Sequence, residues 1–296
     1  MIYLKNFTFP DGDTEAYYFF HREHNEGKAA YDFNYPFKVL SLLGLKKIDF
    51  EHITVLYGGN GSGKSTVLNV IAEKIKAERD AIYNKTVFFQ DYVNMCEMES
   101  FGKLPNKSRI ITSDDVFDYM LNLRTLNEGV DSKREELFEE YLDKKLFFDR
   151  HGHSFQMKSL EDYEELKRIN QTKRKTQARF VRDNLIDNIR EYSNGESAYK
   201  YFTERIKENA LYILDEPENS LSPKRQIELA NFIQEAVRFF NCQLIMSTHS
   251  PFFLAIKGAK IYDLDANPVT VKRWTELENV RIYHEFFKSH EEKFKN

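Results

Sequence analysis

Gly58-Gly59-Asn60-Gly61-Ser62-Gly63-Lys64-Ser65-Thr66 carries the spacing GxxxxGK[ST]. Ahead of it, Ile53-Thr54-Val55-Leu56-Tyr57 is a short apolar, β-branched run that reads as a buried strand. Behind it, Val67 to Ile75 places apolar residues at helical spacing. A strand, a glycine loop and a helix in that order make a phosphate site: glycines let backbone N–H groups curl around phosphate oxygens, and the helix N-terminus adds the positive end of its dipole. The whole stretch Gly58–Thr66 is therefore expected to bind nucleotide, with Lys64 reaching the β- and γ-phosphates and the Ser65 hydroxyl on Mg²⁺.

The chain has 296 residues, room for one large α/β domain or one with an inserted subdomain. A net charge of −4 gives no global basic field, so any nucleic-acid contact must come from a local patch. No apolar run approaches the ~20 residues that span a bilayer, and Met1–Phe7 is too short and polar for a signal peptide. Cys96 and Cys242 sit in apolar contexts without metal-ligand spacing and read as small buried hydrophobes. The expectation is a cytoplasmic protein with no membrane segment.

Before the glycine loop, Met1–Phe9, Ala16–His21, Phe37–Leu43 and Ile48–Leu56 read as strands of an antiparallel β region. Residues 64–79 read as helix, Thr86–Val93 as strand-like and Arg109–Thr112 as strand, with Ser113 capping the helix that follows. Residues 113–191 read as a charged helical insert, with an acidic face at Glu135, Glu136, Glu139 and Glu140. Lys167–Arg182 holds seven Lys/Arg and no acid, suiting either phosphate contact, possible with DNA, or a solvated helix face. Two further buried strands, around Tyr212–Leu214 and Gln243–Met246, flank a helix over Pro223–Phe240. A last hairpin over 261–274 and an amphipathic helix over Asn279–Phe294 close the chain. The expected division is an N-terminal lobe 1–112 with the phosphate loop, an insert 113–191, and a C-terminal lobe 192–296.

Leu211-Tyr212-Ile213-Leu214-Asp215-Glu216-Pro217 is an apolar strand ending in two carboxylates. At a strand's C-terminal edge, Asp215 can hold Mg²⁺ through water, and Glu216 can polarise the water that attacks the γ-phosphorus. Gln243 to Pro251 is a second buried strand ending in a polar turn, whose His249 can hydrogen-bond the γ-phosphate or the attacking water.

The set GGNGSGKST, LYILDEPENSLSP and LIMSTHSP resembles the ABC-type ATPases, closest to the branch of SMC, RecF and the repair ATPases and to stand-alone bacterial ATPases. The resemblance implies an α/β, ABC-type P-loop NTPase with a mostly parallel central sheet, an N-terminal antiparallel β region and a charged helical insert. Ser193, Gly195 and Glu196 match the family's signature, which completes the ATP site from the opposite subunit, while Tyr192 and Asn194 depart from it. Asn219–Pro223 falls at the dimer-contact loop. For the family's Q-loop, Gln90 and the stretch Thr112–Asp115 are both open.

The expected activity is hydrolysis of ATP with Mg²⁺, driving a homodimer that sandwiches two nucleotides. Its expected client is a DNA-related or anti-phage defence partner, an effector such as a nuclease or toxin. The alternatives are the ATP-binding subunit of an ABC transporter and a non-hydrolysing nucleotide-gated switch. The imperfect signature and the long charged insert weigh against the transporter, and Glu216 weighs against the switch.

Overall fold

The computed structural model describes residues 1–26, 34–83, 85–151 and 194–295. It divides into two compact units, residues 1–118 with 193–296, and residues 119–192.

The first unit contains two sheets. The smaller one has the order β2-β1-β4, from β1 (Leu4–Thr8), β2 (Lys47–Asp49) and β4 (Glu97–Ser100), all antiparallel. The larger one has the order β5-β6-β7-β3-β8-β9, from β3 (Ile53–Tyr57), β5 (Arg109–Thr112), β6 (Leu211–Asp215), β7 (Gln243–Ser247), β8 (Lys260–Asp263) and β9 (Thr270–Lys272). Its first five strands run parallel and only β9 is antiparallel. Every residue of β3 and β7 is buried, as continuous apolar runs require when both faces of a parallel sheet are covered. This is the expected ABC-type architecture: a mostly parallel central sheet beside an N-terminal antiparallel one.

Among the described residues the helices are α1 (Gly12–Glu26), α2 (Lys64–Lys74), α3 (Phe89–Met95), α4 (Ser113–His151), α5 (Asn194–Arg205), α6 (Pro223–Phe239), α7 (Pro251–Leu254) and α8 (Glu278–Ser289). Helix α2 packs on β6 and β7 and buries Val67, Leu68, Val70 and Ile71. The two sheets are stapled by Gln243 at the start of β7. Its buried amide accepts from the N–H groups of Tyr3 and Leu4, both at 2.8 Å, and donates to the carbonyls of Leu4 at 2.8 Å and Glu51 at 3.2 Å.

Several expected elements differ. Ala16–His21 lies inside α1, because Asp11 caps that helix: its Oδ1 accepts from the Thr14 N–H at 3.0 Å and the Thr14 hydroxyl at 2.7 Å. Those two bonds hold the Asp11 carboxyl below its ordinary pKa. Phe37–Leu43 forms successive turns that bury Phe37 and Leu40. The run Ile48–Leu56 breaks in two where the Glu51 N–H donates to Thr54 Oγ1 at 3.0 Å, so the chain leaves one sheet and enters the other. Thr86–Val93 becomes turn and helix, since Phe88, Phe89, Tyr92 and Val93 form one buried helical stripe. Helix α2 stops at Lys74 rather than residue 79. The cap of α4 is Thr112, not Ser113: Thr112 Oγ1 accepts from the Asp115 N–H at 3.3 Å, while the Asp115 carboxylate accepts from the Thr112 N–H at 2.6 Å. Both cysteines are buried and free. Lys167–Arg182 lies outside the described residues.

Candidate nucleotide site

Strand order and register bring the site together. In the central sheet Thr112 pairs with Asp215, Asp215 with Ser247, Ser247 with Leu56, and Leu56 with Tyr262. The C-terminal ends of five parallel strands therefore form one edge, where ligands of open α/β sheets bind. The glycine loop leaves β3 at this edge, the two carboxylates leave β6, and His249 follows β7.

Gly63 and Gly58 show why the loop's conformation needs its glycines. Gly63, the N-cap of α2, has φ 83°, and a Cβ there would lie 3.2 Å from both Leu40 Cδ2 and Leu43 Cδ1. A Cβ on Gly58 would lie 2.5 Å from Ser62 Oγ, a hydroxyl that is buried with no hydrogen-bond partner among the described residues. Lys64 is buried, and its ammonium donates to the carbonyls of Gly58 at 2.9 Å and Gly59 at 3.0 Å.

Asp215 is held by its neighbours. The Ser247 hydroxyl donates to Oδ1 at 2.5 Å. Burial pushes the Asp215 carboxyl above its ordinary pKa, while the hydroxyls of Ser247 and Ser65 pull it back down. A hydroxyl and a carboxylate side by side are a hard-oxygen pair that suits Mg²⁺, which takes few protein ligands and the rest from water and phosphate.

Glu216 adopts the left-handed region at φ 49°, a strained position for a residue with a side chain. Its N–H donates to the Ser247 carbonyl at 3.2 Å and hydroxyl at 3.0 Å, which fixes the turn. One carboxylate oxygen lies 3.7 Å from Lys64 Nζ and 3.3 Å from His249 Nε2. The histidine contact is not aligned as a hydrogen bond, since Nε2 has no such partner among the described residues. The other oxygen accepts from Asn219 Nδ2 at 3.1 Å.

A glycine loop, a Mg²⁺-suited oxygen pair and a carboxylate facing Lys64 and His249 thus share one sheet edge. The family model described as ABC transporter matches residues 46–219. The chain belongs to that family. The model described as AAA ATPase domain also matches, over residues 194–254. This ABC-type ATPase domain is similar to the SMC head domain with an extended coiled coil, bound to the C-terminal domain of ScpA, from Pyrococcus furiosus. That likeness has 12% identity and TM-score 0.42, covering 97% of this chain and 100% of that one. It is also similar to a nucleotide-free ATP-binding cassette from an ABC transporter, with 15% identity, TM-score 0.41 and 96% of each chain covered. A third likeness is a dimeric ATP-binding cassette bound to ADP and Pi, with 14% identity, TM-score 0.36, covering 79% of this chain and 92% of that one. No curated protein matches.

Of the three residues expected to match the signature, the described two lie elsewhere. Ser193 is outside the described residues. Gly195 faces the Ser220 carbonyl, with 3.7 Å from its Cβ position, and Glu196 pairs with Arg225 at 3.0 Å. These partners belong to the stretch Asn219–Pro223 and to α6, not to the glycine loop. Gln90 is exposed on α3 and donates its amide to Asn94 Oδ1 at 3.2 Å, whereas Thr112 stands in register beside Asp215.

Four residues of the site escape sequence reasoning. Ser247 supports Asp215. Asp265 accepts the Gly59 N–H with both oxygens, at 2.7 and 2.9 Å, anchoring the start of the loop. Tyr35 donates its hydroxyl to Thr66 Oγ1 at 3.2 Å. Glu218 accepts three bonds from the turn that carries His249. Each contact joins segments that only the tertiary fold brings together, and no local pattern in the chain encodes that.

Proposed function

We propose that this chain hydrolyses ATP with Mg²⁺, and that ATP binding closes a homodimer which hydrolysis reopens. The observation that carries the reading is the Glu216 carboxylate, 3.7 Å from Lys64 Nζ and 3.3 Å from His249 Nε2. Lys64 and the loop N–H groups would hold the phosphates, with Ser65 and Asp215 on the cation. Bound Mg²⁺ would neutralise charge on the transferring phosphoryl group. Glu216 accepts the proton of the attacking water, and His249, 3.3 Å from the carboxylate oxygen that Lys64 also faces, orients that water. Ser193, Gly195 and Glu196 would serve the partner's nucleotide, which accords with Gly195 and Glu196 lying against Ser220 and Arg225 rather than the loop of their own chain.

The test is the Glu216→Gln variant. It should bind ATP as the wild type does, lose turnover on the order of 10²–10⁴-fold, and elute as a dimer when ATP is present. Unchanged turnover overturns the base assignment, and a monomer in saturating ATP overturns the closed dimer.

The client is proposed to be DNA-related or a defence effector. The support is the basic stretch Lys167–Arg182, which would give a salt-dependent, sequence-blind affinity for duplex. DNA that neither binds at low salt nor changes turnover removes that support. The family description favours a second reading, the ATP-binding subunit of a transporter. Among the described residues no helix is long and apolar enough to cross a membrane, and co-purification with a permease would establish that reading.

A further inference from the structure

Three segments far apart in the sequence converge on the backbone of His249. From the loop after β6, Glu218 Oε1 accepts from the His249 N–H at 2.6 Å, the Thr248 hydroxyl at 2.8 Å and the Ser250 N–H at 3.2 Å. From the first turn of α8, Asn279 Nδ2 donates to the His249 carbonyl at 2.9 Å. The Asn279 N–H in turn donates to the hydroxyl of Tyr57, the last residue of β3 before the glycine loop, at 3.2 Å. The peptide on either side of His249 is thus gripped at both its donor and its acceptor.

The grip is costly to keep. Glu218 Oε2 and Asn279 Oδ1 are buried with no hydrogen-bond partner among the described residues, and a buried polar atom left unpaired destabilises the fold. Apolar residues at both places would leave the His249 and Ser250 N–H groups, the Thr248 hydroxyl and the His249 carbonyl without these partners. A carboxylate that gathers three donors on one oxygen is explained by the one thing it fixes, the path of the chain through His249.

We propose that Glu218 and Asn279 are positioning residues that hold the His249 imidazole against the Glu216 carboxylate. Neither touches the reacting groups, and both act through the His249 backbone. The inference rests on the role given to His249 above. It also links the first turn of α8 to the chemistry, because that turn contacts the His249 carbonyl directly.

The experiment compares steady-state ATP hydrolysis of Glu218→Ala, Glu218→Gln, Asn279→Ala and His249→Ala, and of each alanine change combined with His249→Ala, with thermal melting of every variant. Glu218→Ala and Asn279→Ala should each lower kcat about tenfold or more, with KM for ATP changed by less than about threefold. Glu218→Gln keeps a carbonyl acceptor at Oε1 and should recover to within about threefold of wild type. In the His249→Ala background the two alanine changes should bring no further loss, because their effect passes through the imidazole. Losses that multiply in that background, or a kcat unmoved by both changes while His249→Ala lowers it, overturn the positioning role and leave the role of His249 standing. A kcat unmoved by His249→Ala overturns the role of His249 and the inference with it. Asn279→Ala retains its backbone N–H donor to Tyr57 and decides the matter if Glu218→Ala does not fold.

Discussion

Asp215 and Ser247 stand in register on adjacent parallel strands, and the Ser247 hydroxyl donates to Asp215 Oδ1 at 2.5 Å. The same hydroxyl accepts from the Glu216 N–H at 3.0 Å. One small side chain on β7 therefore supports the Asp215 carboxylate and the backbone of Glu216. It stabilises the ionised form of Asp215 against the burial that opposes it.

Ser247→Ala should weaken the site through Asp215. Glu216 keeps its bond to the Ser247 carbonyl, so the turn persists, but Asp215 loses a donor and its pKa rises further. The expected result is a higher Mg²⁺ concentration for half-maximal turnover and an acid limb of the pH–rate profile moved to higher pH. Stability should drop by about 1–3 kcal/mol. Superimposable Mg²⁺ and pH profiles would show that Ser247 does not support the cation site.

Gly63→Ala should strain the loop. Its φ of 83° disfavours any side chain, and the new methyl would press on Leu40 and Leu43 at 3.2 Å. A cost of about 1–2 kcal/mol follows from the backbone alone, and the repositioned N–H groups should weaken binding of a fluorescent ATP analogue. A melting temperature and an affinity both equal to wild type would sink this reading of the turn.

The parallel strands were legible because Ile53–Tyr57, Leu211–Leu214 and Gln243–Met246 are short apolar runs bounded by turns, and burial on both faces leaves no other pattern. Ala16–His21 and Thr86–Val93 misled because their aromatic content favours strands. The deciding signals were a cap at Asp11 in one case and the three-to-four spacing of Phe88, Phe89, Tyr92 and Val93 in the other. In the site, the spacing of Gly58–Thr66 and the strand ends at Asp215 and His249 could be read along the chain. Ser247, Asp265 and Glu218 could not: each acts on a residue from another strand or loop, and adjacency in a sheet is a property of topology.

Gln243→Leu should separate the two sheets. The change preserves the bulk of the side chain but leaves the N–H groups of Tyr3 and Leu4 and the Leu4 carbonyl without the amide that satisfies them. Buried backbone groups left unpaired cost about 1–3 kcal/mol each, so a loss of at least about 3 kcal/mol in urea unfolding is expected, along with earlier proteolysis near Tyr3. An unchanged unfolding midpoint would mean that β1 is held by other contacts.

Glu218 also gives stability a distinctive dependence on pH. Burial raises its pKa above the ordinary carboxylate value, the charge of Glu216 adds to this, and bonds from the His249 N–H, its own N–H and the Thr248 hydroxyl only partly offset it. The folded protein therefore holds this proton more tightly than the unfolded chain does, so stability rises as pH falls through the folded pKa. The gain is complete below the unfolded value of about 4.3, and the full penalty applies above the folded pKa. Glu218→Gln cannot ionise and lacks this dependence. Its constant offset from wild type matters less than the slope: the stability of wild type minus that of Glu218→Gln should increase on going from neutral pH towards about pH 4.3. Urea unfolding of both proteins across that range reads the difference. A flat difference would show that Glu218 titrates as an ordinary carboxylate, and a falling one would mean that its hydrogen bonds outweigh its burial.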